Sequence, residues 1–144
     1  MPVSHILKQK GSSVVTVSPG DSVQSIVDTL ARHRIGAVIV ADKAGGIAGI
    51  VSERDVVRAM AGNLAAVASK TAADIMTAKV RTCAPSDTEA ELMQLMTEHR
   101  IRHLPVVSNG KLAGMISIGD VVKLRIEMME RETEDMKSYI ATAG

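Results

Sequence analysis

Ile35-Gly36-Ala37-Val38-Ile39-Val40, followed after a turn by Gly49-Ile50-Val51-Ser52-Glu53-Arg54-Asp55-Val56-Val57, is a stretch that the chain writes twice. The second copy is Ile101-Arg102-His103-Leu104-Pro105-Val106, a turn, then Gly114-Met115-Ile116-Ser117-Ile118-Gly119-Asp120-Val121-Val122. Ile101 follows Ile35 at an offset of 66, and Asp120 follows Asp55 at 65, so the intervening turn differs by one residue. A period of this length implies two related units, each too small to bury a face alone. Packed together, they leave clefts in which a ligand can sit.

Working outward, Val14-Val15-Thr16-Val17 reads as a β-branched strand broken by Pro19-Gly20. Asp21 stands at the expected N-cap of a helix, with Gln24 three residues on. Val23, Ile26, Val27 and Leu30 give that helix one apolar stripe, and His33-Arg34 suit its C-terminus, as His99 does in the second copy. Residues 37–41 and 47–51 form a hairpin around Asp42-Lys43-Ala44-Gly45-Gly46, and a helix follows from 53 to 61, stopped by Gly62-Asn63. The second copy repeats the order. A strand spans 79–83, a helix 87–99 faces inward through Leu92, Met93 and Met96, and a hairpin turns at Asn109-Gly110. The expected organisation is repeat 1 over 8–63, a connector with a short helix over 64–78, repeat 2 over 79–125 and a helical extension over 126–144.

The last helix outruns its counterpart. Val122, Ile126, Met129, Thr133, Met136 and Ile140 step by four and three, the spacing of a heptad. Two readings fit: an amphipathic helix on its own core, or a contact between two copies of the chain. The charges Glu127, Glu130, Arg131, Glu132, Glu134 and Asp135 read as a solvated face.

Composition removes several function classes. The 144 residues carry a net charge of +1, spread over both halves, so nothing marks a general nucleic-acid binder. There is no Trp or Phe and only one Tyr, Tyr139, so no aromatic platform exists for stacking bases. Cys83 is the sole cysteine, which rules out an intrachain disulfide and fits a reducing compartment. No apolar run reaches the length of a membrane span, and Met1-Pro2-Val3-Ser4-His5 does not open as a secretion signal; the expected location is the cytoplasm. The histidines His5, His33, His99 and His103 lack metal-ligand spacing. No nucleophile elbow, phosphate loop or dinucleotide fingerprint occurs, so no catalytic constellation is visible.

What remains is Ser52-Glu53-Arg54-Asp55 and its echo Ser117-Ile118-Gly119-Asp120, each where a strand meets a helix. As local structure, Ser at N-cap with an acid at N3 is a capping box. As a site, the carboxylate can accept from both ribose hydroxyls, and the serine with the free N–H groups of the helix start suits a phosphate. Their recurrence at matched positions favours the site.

The duplicated strand–helix–hairpin–helix unit, with Ile-x-x-Leu-Pro-Val at Ile101 to Val106 and Gly-x-x-Ser-x-x-Asp at Gly49 to Asp55 and Gly114 to Asp120, resembles a pair of cystathionine-β-synthase (CBS) domains. The resemblance covers about Lys8 to Arg125 and implies a mixed α/β fold of two βαββα repeats in a pseudo-two-fold pair. It implies adenosine-containing ligands in the clefts between repeats: AMP, ADP, ATP, S-adenosylmethionine or NAD(H). One cleft would use Asp55 for the ribose, Ser52 and Arg54 beside it, and Ile101, Arg102, His103, Lys79 and Val80 as the opposite wall. The other would use Asp120, Ser117 and Ile118, with Ile35, Gly36 and Ala37 opposite and Ser12-Ser13 at its mouth. An aliphatic adenine pocket would draw on Ile35, Ile50, Ile101, Ile116 and Ile118. Arg102 and His103 can give charge-assisted bonds to phosphate where Gly36 and Ala37 cannot, so the Asp55 cleft is expected to take the more anionic ligand. Alanine at Asp55 or Asp120 is expected to remove one site and spare the fold. The resemblance further implies a regulatory module without enzymatic activity, a homodimer in the form of a flat disk, and an enzyme or transporter under its control. A structural docking module with empty clefts is the alternative.

Overall fold

Ser22 and Thr88, 66 residues apart, begin the two long helices in the same way. In the computed structural model, which describes residues 1–143, each hydroxyl accepts from the backbone N–H three residues on, at Ser25 and Glu91. The preceding acids are therefore not the caps. Asp21 accepts from Ser18 N–H and Asp87 from Ala84 N–H, and these bonds close the turns leading into the helices. The helices end alike too, with Arg34 and Arg100 in the left-handed region.

The first repeat contains α1 (Val3–Lys10), β1 (Thr16–Val17), α2 (Val23–His33), β2 (Ala37–Ala41), β3 (Ile47–Ser52) and α3 (Glu53–Gly62). Two short helices follow, α4 (Leu64–Val67) and α5 (Ala72–Ile75). The second repeat contains α6 (Glu89–His99), β4 (His103–Ser108), β5 (Lys111–Ser117) and α7 (Ile118–Ala143). Strands β1 and β2 are parallel, β2 and β3 antiparallel, and β4 and β5 form the second antiparallel ladder. Asn109 and Gly110 both take positive φ, as a two-residue turn matched to strand twist demands. In the longer turn, the Asp42 carboxylate accepts from the N–H groups of Ala44 and Gly46.

The expected strand over 79–83 does not form. Only Cys83 bridges, in parallel, to Val106, and Cys83 N–H donates to Pro105 C=O. Lys79 and Arg81 are exposed and line the cleft described below, while Pro85 ends the segment. Its counterpart β1 is likewise reduced to two residues.

Each repeat has its own apolar centre, but the arms are exchanged. Val3 and Ile6 of α1 are buried with Leu92, Met96, Leu104, Val106, Ile116, Val121 and Leu124 of the second repeat. Ala72, Ile75 and Met76 pack with Val17, Val23, Ile26, Val38, Val40 and Val51 of the first. Isolated bridges Pro2 to Thr88 and Ser22 to Thr71 fix the exchange. Ile39 and Pro105, at matched positions, are fully buried outside both clusters, on the opposite strand face from them. The period-two alternation of a strand thus gives each ladder one face for its own repeat and one for the other. Cys83 is buried, and desolvation, aided by the charge of Asp87, pushes its thiol up to about 12.

Candidate functional site

The crossing of the repeats leaves a cleft of about 850 Å³, large enough for a nucleotide. All eight residues expected around Asp55 line it: Ser52, Arg54 and Asp55 from the start of α3, Lys79 and Val80 from the opening of the second repeat, and Ile101, Arg102 and His103 from the entry to β4. Sequence reasoning missed several neighbours. Glu53, Arg58, Thr77, Arg81, His99 and Arg100 also line the cleft, and so does Gly36, which was expected in the other group. Arg58 could have been found one turn beyond Arg54 on the same helix face. Arg81 could have been found two residues beyond Lys79, on the same side of an extended segment. His99 closes α6, the helix-end role expected of it, and also lines the cleft.

The charge of this wall is the notable quantity. Arg54, Arg58, Lys79, Arg81, Arg100 and Arg102 face two carboxylates, Glu53 and Asp55. A chain with a net charge of only +1 has gathered a surplus of four positive charges in one concavity. Walls of one sign focus the field and raise the local concentration of anions. Arg54 spans the repeats, donating to Arg100 C=O at 2.8 Å. Lys79, Arg81, Arg100 and Arg102 take no side-chain partner in an ion pair among the described residues.

Asp55 is buried, and its carboxylate is turned toward its own helix start. Oδ2 accepts from Ser52 N–H at 2.8 Å and from Ser52 Oγ at 3.0 Å, while Oδ1 accepts from Thr77 Oγ1 at 3.1 Å, with Arg58 at 3.7 Å. The capping box is complete. The carboxylate therefore ties α3 to the connector, and these bonds argue that alanine here costs stability as well as the site.

The matched carboxylate of Asp120 makes the same two bonds to Ser117 but has an additional partner, Lys10, whose Nζ donates to Oδ2 at 2.8 Å and to Met115 C=O at 2.9 Å. Burial alone would raise the Asp120 pKa; the Lys10 bond and charge and the Ser117 donors outweigh it and hold it below the ordinary carboxylate value. Ile118 is exposed, Ala37 is buried, and Ile35 packs against the first repeat's core. Ser12 and Ser13 are exposed just beyond Lys10. Of the five isoleucines expected around adenine, Ile50 and Ile101 line the cleft. Ile116 has no exposure and belongs to the second core, because it lies on the inward face of β5.

His103 stands where the two motifs approach each other. It pairs with Ser117 across the β4–β5 ladder, and its ring lies against Gly36, where a Cβ would come within 3.0 Å of it. Burial, with Lys10 and Arg102, holds its pKa below the usual imidazole value against the opposing pull of Glu53 and Asp120.

The Lys10–Asp120 bond has a measurable signature. A carboxylate whose folded pKa is depressed contributes stability above its unfolded pKa and loses that contribution as pH falls toward the folded value. Urea unfolding of wild type and Lys10→Ala should differ by a constant amount near neutrality, and the difference should shrink below about pH 4. A difference unchanged down to about pH 3 would place the contribution of Lys10 elsewhere.

A βαββα unit and its copy, whose first strand is reduced to the single bridge at Cys83, exchange arms and leave an anion-attracting cleft between them; this defines a tandem-repeat module. Residues 3–62 and 72–127 each match the CBS domain, and the chain belongs to the CBS-domain family. It is 35% identical, over 147 aligned residues, to the CBS domain-containing protein CBSX3, mitochondrial, of Arabidopsis thaliana, covering 96% of this chain and 71% of the relative. The solved CBS-domain containing protein ATU1752 from Agrobacterium tumefaciens superposes with a TM-score of 0.84 at 48% identity, over 86% of this chain and 92% of that one. The CBS domain protein PAE2072 from Pyrobaculum aerophilum, solved in complex with AMP, superposes with a TM-score of 0.78 at 27% identity, over 92% and 99%. No helix among the described residues is long and apolar enough to cross a membrane.

Proposed function

We propose that the chain is a regulatory module that binds an adenine nucleotide in the Asp55 cleft and reports cellular energy or redox state to an enzyme or transporter. The observation that carries this reading is the convergence of eight sequence-expected residues from both repeats on one cleft with a surplus of four cations. Ile50, Val80 and Ile101 supply aliphatic walls for the base, in keeping with the near absence of aromatic residues. Asp55 supplies the ribose acceptor once a sugar hydroxyl replaces Thr77 on Oδ1. The arginines and Lys79 supply the phosphate ligands. The charge surplus ranks a triphosphate such as ATP above AMP, with ADP between; NAD(H) or S-adenosylmethionine would use the same base and ribose contacts. The complex of the Pyrobaculum aerophilum relative with AMP supports the ligand class. Occupation switches a target only to the extent that the ligand binds one arrangement of the repeats better than another.

The proposed assembly is a homodimer. Val57 and Leu64 after the first motif and Val122 and Met129 after the second lie at matched positions, and all four are exposed. Two similar apolar strips on one chain suit a two-fold contact with a second copy.

Thermal melting tests the ligand reading against the rival of a docking module with empty clefts. A ligand that binds only the folded state raises the melting temperature with concentration. ATP should raise it more than AMP at equal concentration. No rise at millimolar ATP, AMP, NADH or S-adenosylmethionine, in a protein that melts cooperatively, favours the rival.

A further inference from the structure

Helix α7 has 26 residues, about 39 Å of helix, and from Met129 to Ala143 every residue is exposed. Its core-facing residues are Val121, Leu124 and Met128. The heptad stripe is a different one: Val122, Ile126, Met129, Met136 and Ile140 are 42, 51, 55, 64 and 66% exposed. The stripe is therefore not spent on the helix's own core.

We infer that the α7 extension pairs with the α7 of a second copy as a parallel, in-register two-stranded coiled coil, which sets the dimer head to head. This rests on the homodimer reading and adds its orientation. The steps of four and three place Ile126, Thr133 and Ile140 at one core position of the heptad and Val122, Met129 and Met136 at the other. The first set is entirely β-branched and the second is mainly unbranched at Cβ, the distribution that favours parallel two-stranded pairing. Thr133 brings no unmet polar demand, because its hydroxyl donates to Met129 C=O at 3.0 Å.

Charge decides the direction. In a parallel pair, Arg125 faces Glu130 of the second copy and Glu132 faces its Lys137, both attractive. In the antiparallel register that keeps the same core residues paired, Lys123 faces Lys137, Glu130 faces Glu130 and Glu132 faces Glu132, all repulsive. Arg125 can take part because it holds Glu89 through NH1 and keeps further donors. Head-to-head pairing also brings the strip at Val57 opposite its own copy.

The test is oxidation of Met136→Cys with light scattering on the same sample. Cys83 is buried and does not compete. In the parallel pair the two thiols introduced at position 136 lie within disulfide reach. In the antiparallel register they are about 15 Å apart. A dimer that cross-links at 136, and likewise in Ile140→Cys, is the expected result. A dimer that cross-links at neither position overturns the parallel pairing and leaves the homodimer standing; cross-linking between mixed Ile126→Cys and Met136→Cys chains then identifies the antiparallel register. A monomer overturns both.

Discussion

Asp55→Ala should lower the melting temperature by roughly 10 °C and abolish nucleotide binding, whereas Asp55→Asn should keep the fold and still lose most of the binding. The buried carboxylate closes the capping box and holds Thr77. Truncation removes an N3 partner worth about 1 kcal/mol and strands the Ser52 and Thr77 donors, at about 1–3 kcal/mol for a buried unsatisfied group. A total of about 3 kcal/mol is a large share of the stability of a domain this size. Asparagine retains an oxygen for Ser52 and can donate to Thr77, so the cap survives, while the paired carboxylate oxygens that a ribose needs are gone. Asp120→Ala should cost less, about 1 kcal/mol, because its ion pair with Lys10 is partly solvent-exposed. Chemical unfolding of the three variants checks the ranking. Equal losses at the two aspartates would mean that the Thr77 contact carries no weight.

Arg102→Glu should weaken ATP binding by about 100-fold and AMP binding less, with little change in stability. Arg102 is exposed and lines the cleft without an ion-pair partner among the described residues, so its removal strands nothing. A charge-assisted hydrogen bond contributes about 1.5–3 kcal/mol, and about 1.4 kcal/mol is tenfold in affinity. Reversal of the charge adds repulsion to that loss. The remaining affinity should depend less on salt than that of wild type. Titration calorimetry at two ionic strengths reads both effects. An unchanged ATP affinity would put the phosphates outside this cleft.

The duplication and the hairpins were legible because they are local: offsets of 65 and 66, Asn109-Gly110, and alternating strands. The Asp55 wall was legible because its residues flank the repeated motif. The second group was less so, because Lys10 reaches Asp120 from a helix 110 residues away, and no sequence spacing encodes that contact. The same holds for the exchanged arms: no spacing in the sequence ties Val3 and Ile6 to the distant repeat, yet they complete its core. The strand expected at 79–83 failed because Lys79 and Arg81 face the cleft, and β-propensity gives way where charge must stay wet. Serine rather than aspartate took the cap of α2, at Ser22 instead of Asp21, a one-residue shift that propensity alone does not resolve.

The decisive measurement is a crystal structure of the protein soaked in ATP. The expected density is one nucleotide per chain between the repeats, its sugar on Asp55 in place of Thr77, its base between Ile50 and Ile101, and its phosphates among Arg54, Arg58 and Arg102. Density for the nucleotide elsewhere, or a solvent-filled cleft at saturating ATP with Asp55 still bonded to Thr77, would contradict a ligand site built on that aspartate.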